Sequence, residues 1–489
     1  MPKGYWIVRM GVADPEQYQA YGNCYHSAAY QATPFAFGPS HHRSRPMRAH
    51  LAFVACVAVA VAACNNADRG PDRELLAVID TIGAIDSHAH PMAVVAAGAP
   101  ADSEYDALPL DALPSFDVPL ALRPGNPTLG DAQKALYGTV GGDSGSSQAK
   151  AFDQAHADVM KQQGTHFPTW VLDQLHVSTM LANRVAMGAG HVPPRFRWVT
   201  FADPLMLPLD LTVEAARTPD TKVLYPLEAK LRQRYLHDLG IASLPPTLAQ
   251  YEHDVVTATL EKQHAAGAVA VKFEAAYLRS LDFGQPDAAA ATATYARYAR
   301  GGAPTHAEYT RLEDHLVRVI AREAGRIGLA VQFHSADGFG AYYSPANAAP
   351  HNLESLLIDP SLANTRFIIV HGGWPLVNET MSLMGKHGVY ADISLMDQVA
   401  EPGALARTLR LWLGAWPDKV LFGTDAFEAG PQSGWELSAW VASHNARVAL
   451  AEALSGMVRD GEIDMARARQ LAKMVLHDNA VAAYALGKP

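Results

Sequence analysis

Eight short apolar runs, most of them separated by amphipathic text, constrain this chain more than any other feature. They read AIDSHAHP (84–91), VSTMLANRV (177–185), FRWVTFA (196–202), AVAVKFEA (268–275), LAVQFHS (329–335), RFIIVHGG (366–373), GVYADIS (388–394) and KVLFGTD (419–425). Near-continuous apolar runs of this length are what parallel strands buried on both faces look like. Stretches such as HAEYTRLEDHLVRVIAREAGRIG and PGALARTLRLWLGAWP between them carry helical periodicity. Strand, helix, strand at this rhythm argues for βαβ units. Eight units predict an α/β protein closed as a (β/α)8 TIM barrel, with a doubly wound open sheet as the competitor. The barrel is favoured because polar residues recur at the C-terminal ends of the runs, where barrel active sites sit.

Three segments do not follow the rhythm. Residues from Met92 to about Phe167 are rich in Pro, Gly and Ala with little periodicity. Since they follow the first strand, they read as an elaborate loop on the catalytic face that covers or shapes the pocket. Residues of about 205–250 and 283–304 read as further insertions on that face. The closing text LAKMVLHDNAVAAYALG reads as a helix pair that completes the barrel wall. No repeat of fixed period stands out.

The first 64 residues are of a different kind. Arg43, Arg45 and Arg48 precede an apolar run from Leu51 to Ala63, too short to span a bilayer as a helix. A basic start, a short apolar middle and small residues before a cut site describe a secretory signal over 47–64. The run Val61-Ala62-Ala63-Cys64 is similar to a bacterial lipobox, which implies lipidation of Cys64 and an exported, membrane-anchored protein facing the periplasm. Residues 1–46 open with a stretch that resembles the start of a small ferredoxin-like bacterial domain, too short to bury a core. They read as a fusion remnant or a start assigned too early. Residues 65–489 are then one barrel, since α/β barrels with insertions can run past about 400 residues as a single domain.

Composition narrows the function. The formal net charge is −10, with no basic patch beyond the signal region, which argues against a nucleic-acid partner. An acidic body is not drawn to anionic lipid, so membrane attachment is expected through Cys64 alone. The cysteines are Cys24, Cys56 and Cys64, so the exported part has neither disulfides nor thiolate ligands. A cysteine nucleophile is excluded there for the same reason, and no Gly-x-Ser-x-Gly elbow is present.

The chemistry gathers at strand ends. His88 and His90 lie two apart, so in a strand both point to one side. His334 ends LAVQFH, His371 ends RFIIVH and Asp425 ends VLFGTD. Each closes an apolar strand with a polar residue, and barrel chemistry is assembled from the ends of several strands. Imidazole with carboxylate suits zinc, and also iron, manganese or nickel. Lys272 stands inside an apolar strand, where an unpaired ammonium is costly. It either pairs with Glu274, two residues on, or is of the reactive kind that burial produces.

In that order and at those strand ends, His88/His90, Lys272, His334, His371 and Asp425 resemble the ligands of the amidohydrolase superfamily of metal-dependent hydrolases. HGGWP, VYADIS and KVLFGTDA are similar to its amidohydrolase-related branch in particular, and the likeness runs from about Ala84 to the C-terminus. The resemblance implies His88 and His90 on the more buried ion and Asp425 as ligand and base. It implies a carbamylated Lys272 bridging two ions, with His334 and His371 on the second. In a one-metal member, one of these two histidines binds the metal and the other polarises the substrate. The expected activity is hydrolysis of an amide, ester or lactone by a metal-activated hydroxide, with Asp425, His371 and Lys272 as the catalytic residues. Asp425 takes the proton and returns it to the leaving group.

A decarboxylase on the same ligand set is the alternative enzyme, and a non-catalytic periplasmic binding lipoprotein ranks below both. Arg184, Tyr277, Arg279 and Trp374 lie just past strand ends and are the candidates for contact with a small-molecule substrate. A homo-oligomer is compatible with everything in the sequence.

Overall fold

The computed structural model describes residues 70–95, 100–109, 113 and 118–487. Residues 1–46, the expected signal run over 47–64 and Cys64 lie outside the described residues. Eight strands follow the eight apolar runs: β1 Ala84–Ala89, β2 Val177–Asn183, β3 Phe196–Phe201, β4 Ala268–Phe273, β5 Ala330–His334, β6 Phe367–Val370, β7 Val389–Asp392 and β8 Val420–Leu421. They pair in sequence order from β1 to β8, and every pair is parallel.

Alternation along each strand splits the core in two. On β6, Phe367 and Ile369 join the large cluster shared with the surrounding helices, while Ile368 and Val370 face the other way. The same division separates Val420 and Phe422 from Leu421 around β8. The second cluster, with Ile85, Leu181, Val199, Ala270 and Ala330, fills the barrel interior, as expected of a packed barrel core. Ala480, Ala483, Tyr484 and Leu486 belong to it as well. Tyr484 reaches far enough in for its hydroxyl to meet Gln332 Nε2 at 2.8 Å. The C-terminal residues therefore pack against the barrel interior rather than simply completing its wall as their pattern suggests.

The ring closes between β8 and β1. Ser87 N–H donates to Phe422 O at 2.9 Å, Asp425 N–H to His88 O at 2.7 Å and His90 N–H to Ala426 O at 2.7 Å. Buried Asp86 adds a polar lock: it accepts from Thr424 N–H at 3.0 Å and from the Thr424 hydroxyl at 2.6 Å. Burial pushes the Asp86 carboxyl up to about 7, against the pull of these Thr424 bonds.

The insertion after β1 is more helical than its composition suggests. Helices run over Pro127–Tyr137, Ser147–Gln163 and Phe167–Gln174. The first has legible ends: Asn126 caps Thr128 N–H at 2.9 Å, Pro127 fills the first position, and Gly138 at φ 72° stops it. Proline there lacks only an N–H that no intrahelical acceptor would meet, so its presence marks a helix start and not a loop. The other two insertions hold the helices Pro219–Asp238 and Ala288–Tyr298. Among the described residues no helix is long and apolar enough to cross a membrane.

If the Asp86–Thr424 lock closes the barrel, Thr424→Val keeps the shape and leaves one carboxylate oxygen without its donor. The expected loss is about 2 kcal/mol of unfolding free energy, read from urea denaturation. An unchanged midpoint and slope would show that the backbone bonds alone hold β1 to β8.

Candidate metal centre

The strand ends bring His88, His90 and Asp425 together. His88 Nε2 lies 3.1 Å and His90 Nε2 3.7 Å from the same Asp425 oxygen, Oδ1. One ligand atom from each residue falls within 4.8 Å of the others, and all three are buried. Two imidazoles and a carboxylate at this spacing fit a divalent first-row metal. A ligand imidazole must be neutral. Burial, with the Lys272 ammonium beside it, holds His88 well below the usual histidine range.

Lys272 points into this cluster, with Nζ 3.2 Å from His88 Nε2. It forms no ion pair with Glu274 among the described residues. Glu274 lies just past β4, its N–H bound to Asp203 Oδ2 at 2.7 Å, and its Oε2 is buried without a partner. The pairing considered from the sequence is therefore not what places Lys272.

His334 and His371 are present as a hydrogen-bonded pair. The bonds run in one direction once the Ser394 hydroxyl donates to Asp392 at 2.6 Å. His371 Nδ1 then donates to Ser394 Oγ at 3.0 Å, His334 Nδ1 donates to His371 Nε2 at 2.9 Å, and the Tyr343 hydroxyl donates to His334 Nε2 at 3.1 Å. Each ring is thus assigned the Nδ1–H tautomer by its neighbours. Burial pushes His334 down to about 3 and His371 well below the usual range, so both stay neutral at ordinary pH. His371 Nδ1 also lies 3.9 Å from Asp425 Oδ2.

Two of these residues carry backbone strain. His371 has φ 63° and Asp425 φ 51°, left-handed values that non-glycine residues adopt at a cost of order 1–3 kcal/mol. Asp392 secures the first by accepting His371 N–H at 2.9 Å. The second is held by the Asp425 N–H bond to His88 O and by Gln398, whose Nε2 donates to Asp425 O at 3.0 Å.

Above these residues lies a cavity. It is lined by His90, Asp106, Lys272, Glu274, His334, His371, Asp425 and Glu428 on its polar side, and by Tyr105, Tyr277, Phe339, Leu395 and Phe427. Of the four substrate candidates only Tyr277 reaches it, with its ring 4.6 Å from that of His334. Arg184 is instead 1% exposed, pairs with Asp102 at 2.8 Å and donates to Pro91 O at 2.5 Å and Ala186 O at 2.9 Å. It staples the insertion to the chain leaving β1 and does not line the cavity. Arg279 faces an adjacent cavity, but Glu313 and Asp314 each hold its guanidinium at 2.8 Å. Trp374 packs on the outer core and does not line the cavity.

Asp106 and Tyr343 were missed by sequence reasoning. Both come from segments beyond a strand end, and only their position in the folded insertion or loop reveals them. For Asp106 no local motif exists that could have served as a signal.

No protein-family model matches the chain, and no curated protein matches it. Solved structures do. A protein assigned as a metal-dependent hydrolase from Lactobacillus casei ATCC 334 is 15% identical, with a TM-score of 0.52 over 85% of this chain and 98% of its own. A uronate isomerase from Thermotoga maritima is 13% identical, with a TM-score of 0.52 over 84% and 96%. A glucuronate isomerase from Caulobacter crescentus is 12% identical, with a TM-score of 0.52 over 85% and 94%. At these identities the likeness shows a shared barrel fold.

Arg184 supplies a test of the correction. In Arg184→Met, Asp102 loses its buried partner, and the expected cost is about 3–5 kcal/mol of stability. A variant as stable as the parent in urea would return Arg184 to the list of substrate contacts.

Proposed function

We propose that the chain is a metal-dependent hydrolase of the amidohydrolase type, acting on an uncharged or cationic amide, ester or lactone. The observation that carries this is the convergence of His88, His90 and Asp425 under the cavity. His88 and His90 hold the ion, zinc being the best match to two imidazoles and one carboxylate. When bound, such an ion lowers the pKa of water and polarises a carbonyl.

The side chains account for the remaining steps. Asp425 accepts the proton of the attacking water on its carboxylate as the new C–O bond forms. It then delivers that proton to the leaving nitrogen or oxygen as the old bond breaks, so the carboxylate is regenerated. Tyr343, through His334 and His371, is linked by hydrogen bonds to Asp392. This chain fixes the rings that face the substrate carbonyl. Tyr277, Phe339 and Phe427 form an aromatic wall that excludes water from the substrate. Lys272, aimed at His88, is placed where a carbamate on Nζ would add oxygen ligands to the same centre, and its carbamylation belongs to this proposal.

Charge separates this reading from its rivals. Among the described residues no arginine lines the cavity, while Asp106, Glu274, Asp425 and Glu428 do. A sugar acid, the substrate class in the names of two structural neighbours, would find no guanidinium among the described lining residues to hold its carboxylate. The substrate carboxylate that a decarboxylase must hold meets the same obstacle. Export and lipid attachment at Cys64 complete the proposal and rest on residues 47–64 of the sequence.

The test is hydrolysis of a panel of neutral amides, esters and lactones by the zinc-loaded protein. Asp425→Asn is expected to lower kcat by about a thousandfold while zinc remains largely bound. Near-normal turnover in that variant would remove Asp425 from the reaction. Faster consumption of carboxylate-bearing substrates with release of CO2 would favour the decarboxylase instead.

A further inference from the structure

His90 belongs to two clusters. Its Nε2 faces Asp425, while its Nδ1 stands 3.2 Å from Asp106 Oδ2. Ligand atoms of His90, Asp106 and Glu274 all lie within 4.8 Å of one another. The proposed reaction uses neither acid. The side chains of His90 and Asp106 are 7% and 9% exposed, and Glu274 is 4% exposed. The His90–Asp106 contact is close but is not aligned as a hydrogen bond: Nδ1 has no hydrogen-bond partner, and neither has Glu274 Oε2.

More carboxylate stands behind them. Asp203 binds the Glu274 N–H through Oδ2, but its Oδ1 is buried without a partner, as are both oxygens of Glu228. Lys272 is the cation at the cluster. Arg232, nearer Glu228, spends its Nη1 on the carbonyls of Leu207 and Leu209. Asp106 accepts Leu108 N–H at 3.2 Å through Oδ1, but buried carboxylate oxygens without partners, as on Asp203, Glu228 and Glu274, are expensive, and one ammonium does not offset them.

We propose that His90 Nδ1, Asp106 and Glu274 form a second divalent-cation site, on the opposite edge of His90 from Asp425. It is rich in oxygen where the first is rich in imidazole, which favours manganese or magnesium over zinc. With both centres filled, His90 serves each through one ring nitrogen and gives its ring proton to water. Because Asp106 comes from the insertion after β1 and Glu274 from the end of β4, the ion pins the insertion to the barrel. The site rests on the preceding proposal only in sharing His90, and its test needs no substrate.

The full chain, stripped by chelator and titrated with manganese(II) alone, is expected to retain two ions per chain by mass spectrometry after desalting. Asp106→Asn and Glu274→Gln are each expected to retain one, with an unchanged far-ultraviolet spectrum. Asp106→Glu keeps the charge but displaces it, and is expected to weaken the second ion about tenfold. One ion in the parent protein at saturation would overturn the site, whatever the variants do. So would two ions in the Asp106→Asn/Glu274→Gln double variant, or loss of the second ion in His334→Ala alone. Absence of hydrolysis with these manganese counts intact would dismiss the reaction and leave the site standing.

Discussion

Burial of negative charge at one end of the barrel is the constraint on which the rest of this structure depends. Asp86, Asp392 and Asp397 lie fully buried among the strand ends, and Asp106, Asp203, Glu228 and Glu274 lie on the other side of the ligands. Burial pushes Asp86, Asp203 and Asp392 up to about 7, and Glu228, Glu274 and Asp397 well above the carboxylate range. Some of this cost is met by aligned donors, as Thr424 does for Asp86 and Ser394 for Asp392. The remainder has only protons or cations to meet it. A scaffold stable without either would have used apolar residues at these positions, as the opposite end of the barrel does around Tyr484.

The fold was legible because parallel barrel strands must be apolar on both faces, and little else in a soluble protein writes eight such runs in a row. All eight runs became strands, from Ala84 to Leu421. His88 and His334 lie within their strands, and His90, His371 and Asp425 stand one to four residues past β1, β6 and β8, where the cluster forms. The candidates for substrate contact were another matter. Arg184, Arg279 and Trp374 sit in equivalent places along the chain, yet a guanidinium can turn toward a carboxylate as readily as toward a pocket. Asp102, Glu313 and Asp314 decided the question for the two arginines.

The insertion after β1 shows the limit most clearly. Its helices have caps that a local reading could have found, as at Asn126 and Gly138. Its contribution to the site could not be found that way. Asp106 reaches His90 because the chain around it is fastened by Arg184 and by Asp102, which accepts Ala93 N–H at 2.7 Å. The first of these contacts spans tens of residues and the second nine, and neither leaves a periodicity in the text. A hydrophobic pattern reports which face is buried; it is silent on which loop carboxylate arrives at a given imidazole.

The left-handed backbone at His371 and Asp425 has a consequence for anyone who would improve this protein. Glycine would relax both positions, since it adopts positive φ without the penalty that a side chain brings. Variants chosen for heat resistance alone would therefore include changes at two residues of the candidate metal centre, and would gain robustness there by discarding its side chains. Selection for a higher melting temperature needs a functional counter-screen here, because two of the six left-handed non-glycine positions among the described residues lie at the candidate site.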